Sequence, residues 1–133
     1  MFINSLHADL WVSRADKGLT LDRPSWEDIE RAVRQLNGNE RTSLILKRDE
    51  ETHMSIGGGP DRYSVVVLIK NRHGPFYLID PSKSDAEIML VVGGQSIDTP
   101  ERMTVPLETI LKAARVFSES GELEKSLAWQ VGI

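Results

Sequence analysis

Between residues 43 and 92 the chain runs through five apolar or alternating stretches with little room between them: 43–47, 52–56, 63–70, 75–79 and 86–92. The connections, residues 48–51, 57–62, 71–74 and 80–85, are too short to hold a crossover helix. A parallel pair of strands needs a connection of roughly a dozen residues or more, whereas antiparallel neighbours need only a turn. The run therefore predicts an antiparallel sheet. Turn chemistry agrees, with Asp49-Glu50 in the first gap and Asn71-Arg72-His73-Gly74 in the third. Residues 63–70 are apolar on both faces, which predicts a central strand, and 86–92 have the same character. Gly57-Gly58-Gly59-Pro60-Asp61 breaks the pattern between the second and third strands.

The flanks add one strand and two helices. Phe2, Leu6, Ala8, Leu10 and Val12 fall on even positions, so 2–13 reads as a half-buried strand, followed by a polar loop over 14–24. Ser25 is placed to cap a helix, with Glu27 and Asp28 at the positive end of its dipole. Trp26, Ile29, Val33 and Leu36 form one stripe, and Asn37-Gly38 ends the helix. Gly93-Gly94 opens a polar loop that runs to Met103. Val105-Pro106 then leads into a second helix whose buried face is Leu107, Ile110, Leu111, Ala114 and Phe117, closed by residues 118–121. Leu127 and Trp129 dock the tail. Strands in one run with helices segregated at its ends predict an α+β fold: a mainly antiparallel sheet of about six strands with two α-helices packed on one face. A barrel-like curl of the sheet is the competing arrangement.

A chain of 133 residues has the length of one domain, 1–133, and can bury a core without staples. It has no cysteine, which removes disulfides, thiolate metal sites and a cysteine nucleophile. Sixteen basic and twenty acidic residues leave a net charge of −4, a poor basis for binding nucleic acid. Residues 1–14 have no basic start followed by an apolar segment, and no apolar run approaches the roughly 20 residues that span a bilayer. A cytoplasmic protein without a membrane partner is expected.

The residues offer little catalytic chemistry. Gly57-Gly58-Gly59 is followed by Pro60, Asp61 and Arg62 and then a strand, not by the Lys-Ser/Thr and helix of a phosphate loop. His7, His53 and His73 have no zinc-site spacing, so no metal and no cofactor is expected. No Gly-x-Ser-x-Gly elbow is present. Asp80, Asp85 and Glu87 or His53 could serve a small hydrolase-type enzyme, but read more simply as surface charges. Trp11, Trp26 and Trp129 could stack on bases, but no basic patch accompanies them. A non-catalytic binding module is the favoured class.

The order of landmarks supplies a family. Pro24-Ser25-Trp26 at a helix start is followed by Gly57-Gly58-Gly59, Gly93-Gly94, Pro100, Val105-Pro106, a helix with Phe117, Gly121 and a closing Leu127-Ala128-Trp129. The pattern, from about Pro24 to Trp129, resembles immunity protein family 1 of bacterial polymorphic toxin systems. The resemblance implies a small cytoplasmic inhibitor, not an enzyme, that binds a cognate toxin domain and occludes its active site. In that family the toxin is often a nucleic-acid deaminase, and nucleases are also represented. The landmarks Trp26, Gly57, Gly58, Gly59, Gly93, Gly94, Pro100, Val105, Pro106, Phe117, Gly121 and Trp129 read as scaffold. The contacts are expected from exposed loops, with Asp61, Arg62, Asp80, Asp85, Glu87, Asp98 and Glu101 as candidates. The oligomeric state of the free protein is left open by the sequence.

Overall fold

A computed structural model describes residues 1–132. In chain order the elements are β1 (Ser5–Ala8), β2 (Trp11–Val12), β3 (Ala15–Asp16), β4 (Leu19–Asp22), α1 (Trp26–Gln35), β5 (Ser43–Asp49), β6 (Thr52–Gly58), β7 (Tyr63–Leu68), β8 (Phe76–Ile79), β9 (Glu87–Val92), β10 (Gln95–Pro100), a 3₁₀ turn (Glu101–Met103), α2 (Leu107–Ser120) and β11 (Ala128–Val131). Seven strands form the main sheet in the order β11-β8-β7-β6-β5-β1-β4. Every pairing in it is antiparallel, as the short connections require. β2–β3 and β9–β10 are separate two-stranded ribbons.

The architecture is the expected α+β, with differences in detail. The first strand does not run over 2–13: it stops at Ala8, and Trp11–Val12 turns back on Ala15–Asp16. The expected loop over 14–24 contains β4, an edge strand on β1. β6 continues through Gly57 and Gly58 and is the middle strand, a place expected for 63–70. Residues 86–92 leave the main sheet to pair with β10, which lies inside the loop expected from Gly93-Gly94 to Met103. The docked tail is β11, so seven strands replace about six.

Register carries one apolar row across the sheet. Leu6 lies opposite Leu21 and Leu46, Leu46 opposite Met54, Met54 opposite Val67, and Val67 opposite Phe76. A second row runs Leu44, Ile56, Val65. Leu44, Leu46, Met54 and Val67 are fully buried, in one cluster with Ile29 and Val33 of α1 and Ile110, Ala113, Ala114 and Phe117 of α2. Both helices thus cover this face. α1 begins with a capping box, in which the Ser25 hydroxyl accepts from Asp28 N and the Asp28 carboxylate accepts from Ser25 N. α2 ends on Gly121 in the left-handed region.

Phe117 is fully buried and meets Phe2 edge-to-face at 5.9 Å between centroids. Trp26 is only half-buried, at the core's margin, with the Arg115 guanidinium 5.2 Å from its ring. Phe117→Ala should therefore cost about 3–5 kcal/mol in chemical denaturation, and Trp26→Ala clearly less. Equal losses would mean that the helix faces are misassigned. Gly58 has φ +97°, and a Cβ there would lie 2.8 Å from the carbonyl oxygen of Arg62. Gly58→Val should destabilise by at least about 1–3 kcal/mol from backbone strain alone, read as a lowered denaturation midpoint.

Candidate functional site

With both helices on one face of the sheet, the other face, the edges and the ribbons are left for binding. Alternation puts His7, Ile45, Lys47, His53, Val66 and Tyr77 on this second face, all half-buried. The β9–β10 ribbon straps one end of it. Val92 occupies the space of a Gly57 side chain, since a Cβ there would fall 2.6 Å from Val92 Cγ1. Only glycine lets the ribbon approach so closely. An apolar slot of about 160 Å³ remains between ribbon and sheet, lined by Val66, Tyr77, Val92, Ile97 and Met103 among others. The other end of the face is a shallow depression of about 420 Å³ lined by His7, Thr20, Ile45, Lys47 and His53.

This depression holds the nearest approach to a catalytic relay. His7 Nδ1 lies 3.0 Å from Thr20 Oγ1, and His7 Nε2 lies 3.8 Å from Asp16 Oδ2. The second separation exceeds hydrogen-bond length, so Asp16 does not fix the imidazole tautomer as the acid of a triad does. Its carboxylate instead accepts from Leu10 N at 3.0 Å and Gly18 N at 2.8 Å, and these bonds hold its pKa below the ordinary value. His53 faces the same depression, and Lys47 is bonded to Glu50 at 2.5 Å. Among the described residues no group of three or more His, Asp or Glu side chains is placed to hold a metal ion.

The candidate contact residues separate into two sets. Arg62 and Asp80 are turned inward, with side chains 20% and 19% exposed. Arg62 donates from Nη2 to Asp80 at 3.1 Å and to the Thr104 carbonyl at 2.5 Å, and from Nε to Thr104 Oγ1 at 2.9 Å. Bonds from the Ser82 hydroxyl and from Arg62 hold the Asp80 carboxyl below its usual range. The pair braces the turn before α2. Asp85 is exposed but ion-paired with Arg102, which also donates to Gln130 at 2.7 Å, and Glu101 is half-buried in the 3₁₀ turn. Asp61, Glu87 and Asp98 are exposed, the last two on the ribbon. Asp98 lies directly opposite Met89, which is 59% exposed. Sequence reasoning missed Met89 because an unbroken apolar run of five residues, 88–92, reads as a buried strand, and only the ribbon pairing shows one face of it uncovered.

It also passed over Asp9, which is 2% exposed. This carboxylate accepts from Thr42 N at 2.7 Å, Thr42 Oγ1 at 2.5 Å, Ser43 N at 2.9 Å and Trp11 Nε1 at 2.7 Å. Thr42 Oγ1 in turn accepts from Gly94 N at 2.9 Å. Burial alone would raise the Asp9 pKa, but the four donors outweigh it and the pKa is lowered. The signal available in the sequence was an acid that interrupts an apolar strand.

A family model described as Immunity protein Imm1 matches residues 18–131. No curated protein matches the chain.

The Asp9 network has a pH signature. Its folded-state pKa lies below the unfolded value, so folding stabilises the charged form. That stabilisation is complete above the unfolded value of about 3.9 and is lost as pH falls through the folded value beneath it. Asp9→Asn should cost about 1–3 kcal/mol at pH 7. The gap to the wild type should narrow as the pH is lowered from 5 to 3 in denaturation experiments, and a gap independent of pH would refute the assignment.

Proposed function

Since the chain belongs to the Imm1 family of immunity proteins, we propose that it binds a cognate bacterial toxin domain with nucleic-acid deaminase or nuclease activity and blocks its active site. The observation that carries this reading is the family match over residues 18–131. Membership makes the chain an immunity protein against a toxin; the toxin's chemistry and the mode of blocking are the proposed part. The protein acts by occupancy, not by catalysis. Support comes from the incomplete relay at Thr20, His7 and Asp16. It also comes from exposed carboxylates at Asp61, Glu87 and Asp98. An enzyme that acts on a nucleic acid presents a groove suited to a polyanion. Exposed carboxylates complement such a groove, speed encounter with it and do not themselves attract nucleic acid. No helix among the described residues is long and apolar enough to cross a membrane. We place the protein in the cytoplasm, acting as one domain where a delivered toxin would meet its substrate.

Co-expression with the toxin domain encoded beside it tests the reading. The two chains should co-purify, with a Kd of about 10⁻⁹ M or tighter, equivalent to about −12 kcal/mol. Cells expressing the toxin should survive only with the immunity protein present. No complex at micromolar concentration, or no rescue, would refute the proposal.

A further inference from the structure

The β9–β10 ribbon has two faces, and the fold uses one. Leu90 and Val92 of β9 point toward the sheet, Leu90 6% exposed and Val92 against Gly57. Alternation puts Glu87, Met89 and Val91 on the opposite face, and the register adds Ser96 and Asp98 from β10. Met89 at 59% is as exposed as any large apolar side chain among the described residues. A polar residue would suit that position if the face met only water. Methionine is an adaptable side chain at recognition surfaces, and an apolar side chain in a polar rim is the composition of an interface centre.

The charges around Met89 have one sign. Asp98 stands directly across the ribbon from it, and Glu87 precedes it by one turn of the pleat on the same face. Residues 84–101 contain Asp85, Glu87, Asp98 and Glu101 and no Lys, Arg or His. Arg102 neutralises Asp85, whereas Glu87 and Asp98 have no cationic partner among the described residues. The depression on the open sheet face differs, because Lys47 is matched by Glu50 and His7 lies beside Asp16. It presents no unbalanced sign to a partner.

The ribbon is also held rigidly. Gly94 N donates to Thr42 Oγ1 at its turn, and at its open end Glu101 N donates to the Ala86 carbonyl and Arg102 N to the Ser84 carbonyl, each at 2.9 Å. A surface already ordered loses little entropy on binding.

We propose that the outward face of the β9–β10 ribbon is the docking surface for the toxin domain. It meets a basic surface on that protein, with Met89 seated in an apolar recess between cations that pair with Glu87 and Asp98. This rests on the reading of the chain as an immunity protein.

The test uses the full chain and the toxin domain encoded beside it. Glu87→Lys combined with Asp98→Lys should slow association by about 10-fold or more at low salt and flatten its salt dependence. Met89→Ala should raise the Kd by about 10-fold, mainly through faster dissociation. Lys47→Glu and Arg31→Glu, on the open sheet face and on α1, should change the Kd by less than about 3-fold. Wild-type binding with all ribbon variants within 3-fold overturns the proposal and leaves the immunity function standing. Failure of the wild type to bind overturns the immunity reading and this assignment with it. Hydrogen exchange on the wild-type complex needs no variant to fold. Protection at 87–98 supports the proposal, and protection confined to 43–55 overturns it.

Discussion

One carboxylate, that of Asp9, holds the separately paired parts of this molecule in register. A buried charge is costly unless donors replace its hydration. Here four donors do so, from Trp11, from both groups of Thr42 and from Ser43. They belong to the small N-terminal ribbon and to the segment that leads into β5. Two contacts then reach the turn of β9–β10. Gly94 N donates to the same Thr42 hydroxyl that donates to Asp9, and the Trp11 ring lies against Gly94, where a Cβ would come within 2.6 Å. A two-stranded ribbon is marginal on its own. This one is positioned because its turn is tied, through the Thr42 hydroxyl, to a buried acid at the same end of the sheet.

That arrangement divides residues that hold the scaffold from those left exposed. Gly57 is a seat for Val92, Gly58 carries a backbone angle that side chains resist, and Gly94 receives Trp11. Val105 is fully buried and bonded through its backbone to Tyr63. Trp129 donates from Nε1 to the Glu124 carbonyl and lies opposite Leu78. These residues therefore specify a shape: a seven-stranded sheet, two helices on one face and a strap on the other. On the strap's outward face Glu87, Met89 and Asp98 are exposed, so their side chains take no part in holding that shape.

Much of this was legible because the relevant forces are local. The Ser25 cap, the stripe of Ile29 and Val33, the Phe117 face of α2 and the hairpins between residues 43 and 79 follow from spacing and turn chemistry. The elements that were missed depend on distant partners. β4 and β10, with the sequences Leu-Thr-Leu-Asp and Gln-Ser-Ile-Asp-Thr-Pro, are largely solvent-facing: the first alternates over only four residues inside a polar stretch, and the second has a single large apolar residue. Their pairing is supplied by β1 and β9. Asp9 carries no local sign of its role because three of its four donors lie more than thirty residues away, at Thr42 and Ser43. Arg62 and Asp80 looked like surface charges because nothing local shows that each would find the other. Asp61, Glu87 and Asp98 are exposed, but the methionine beside the last two became visible only with the ribbon's register.

The same pairing logic explains why the net charge says less than its distribution. Several cations are drawn into structural work. Arg62 and Arg102 brace the segments around the 3₁₀ turn. Arg48, Arg72 and Arg115 lie over the rings of Phe2, Phe76 and Trp26. Such contacts are short-ranged and fix local packing. On the ribbon the uncompensated charge is acidic, and it brackets an exposed methionine. A total of −4 spread evenly would steer no partner. Unmatched carboxylates on a rigid, partly apolar face concentrate the field where a basic surface would arrive, and the apolar contact between them then supplies the desolvated centre that slows dissociation.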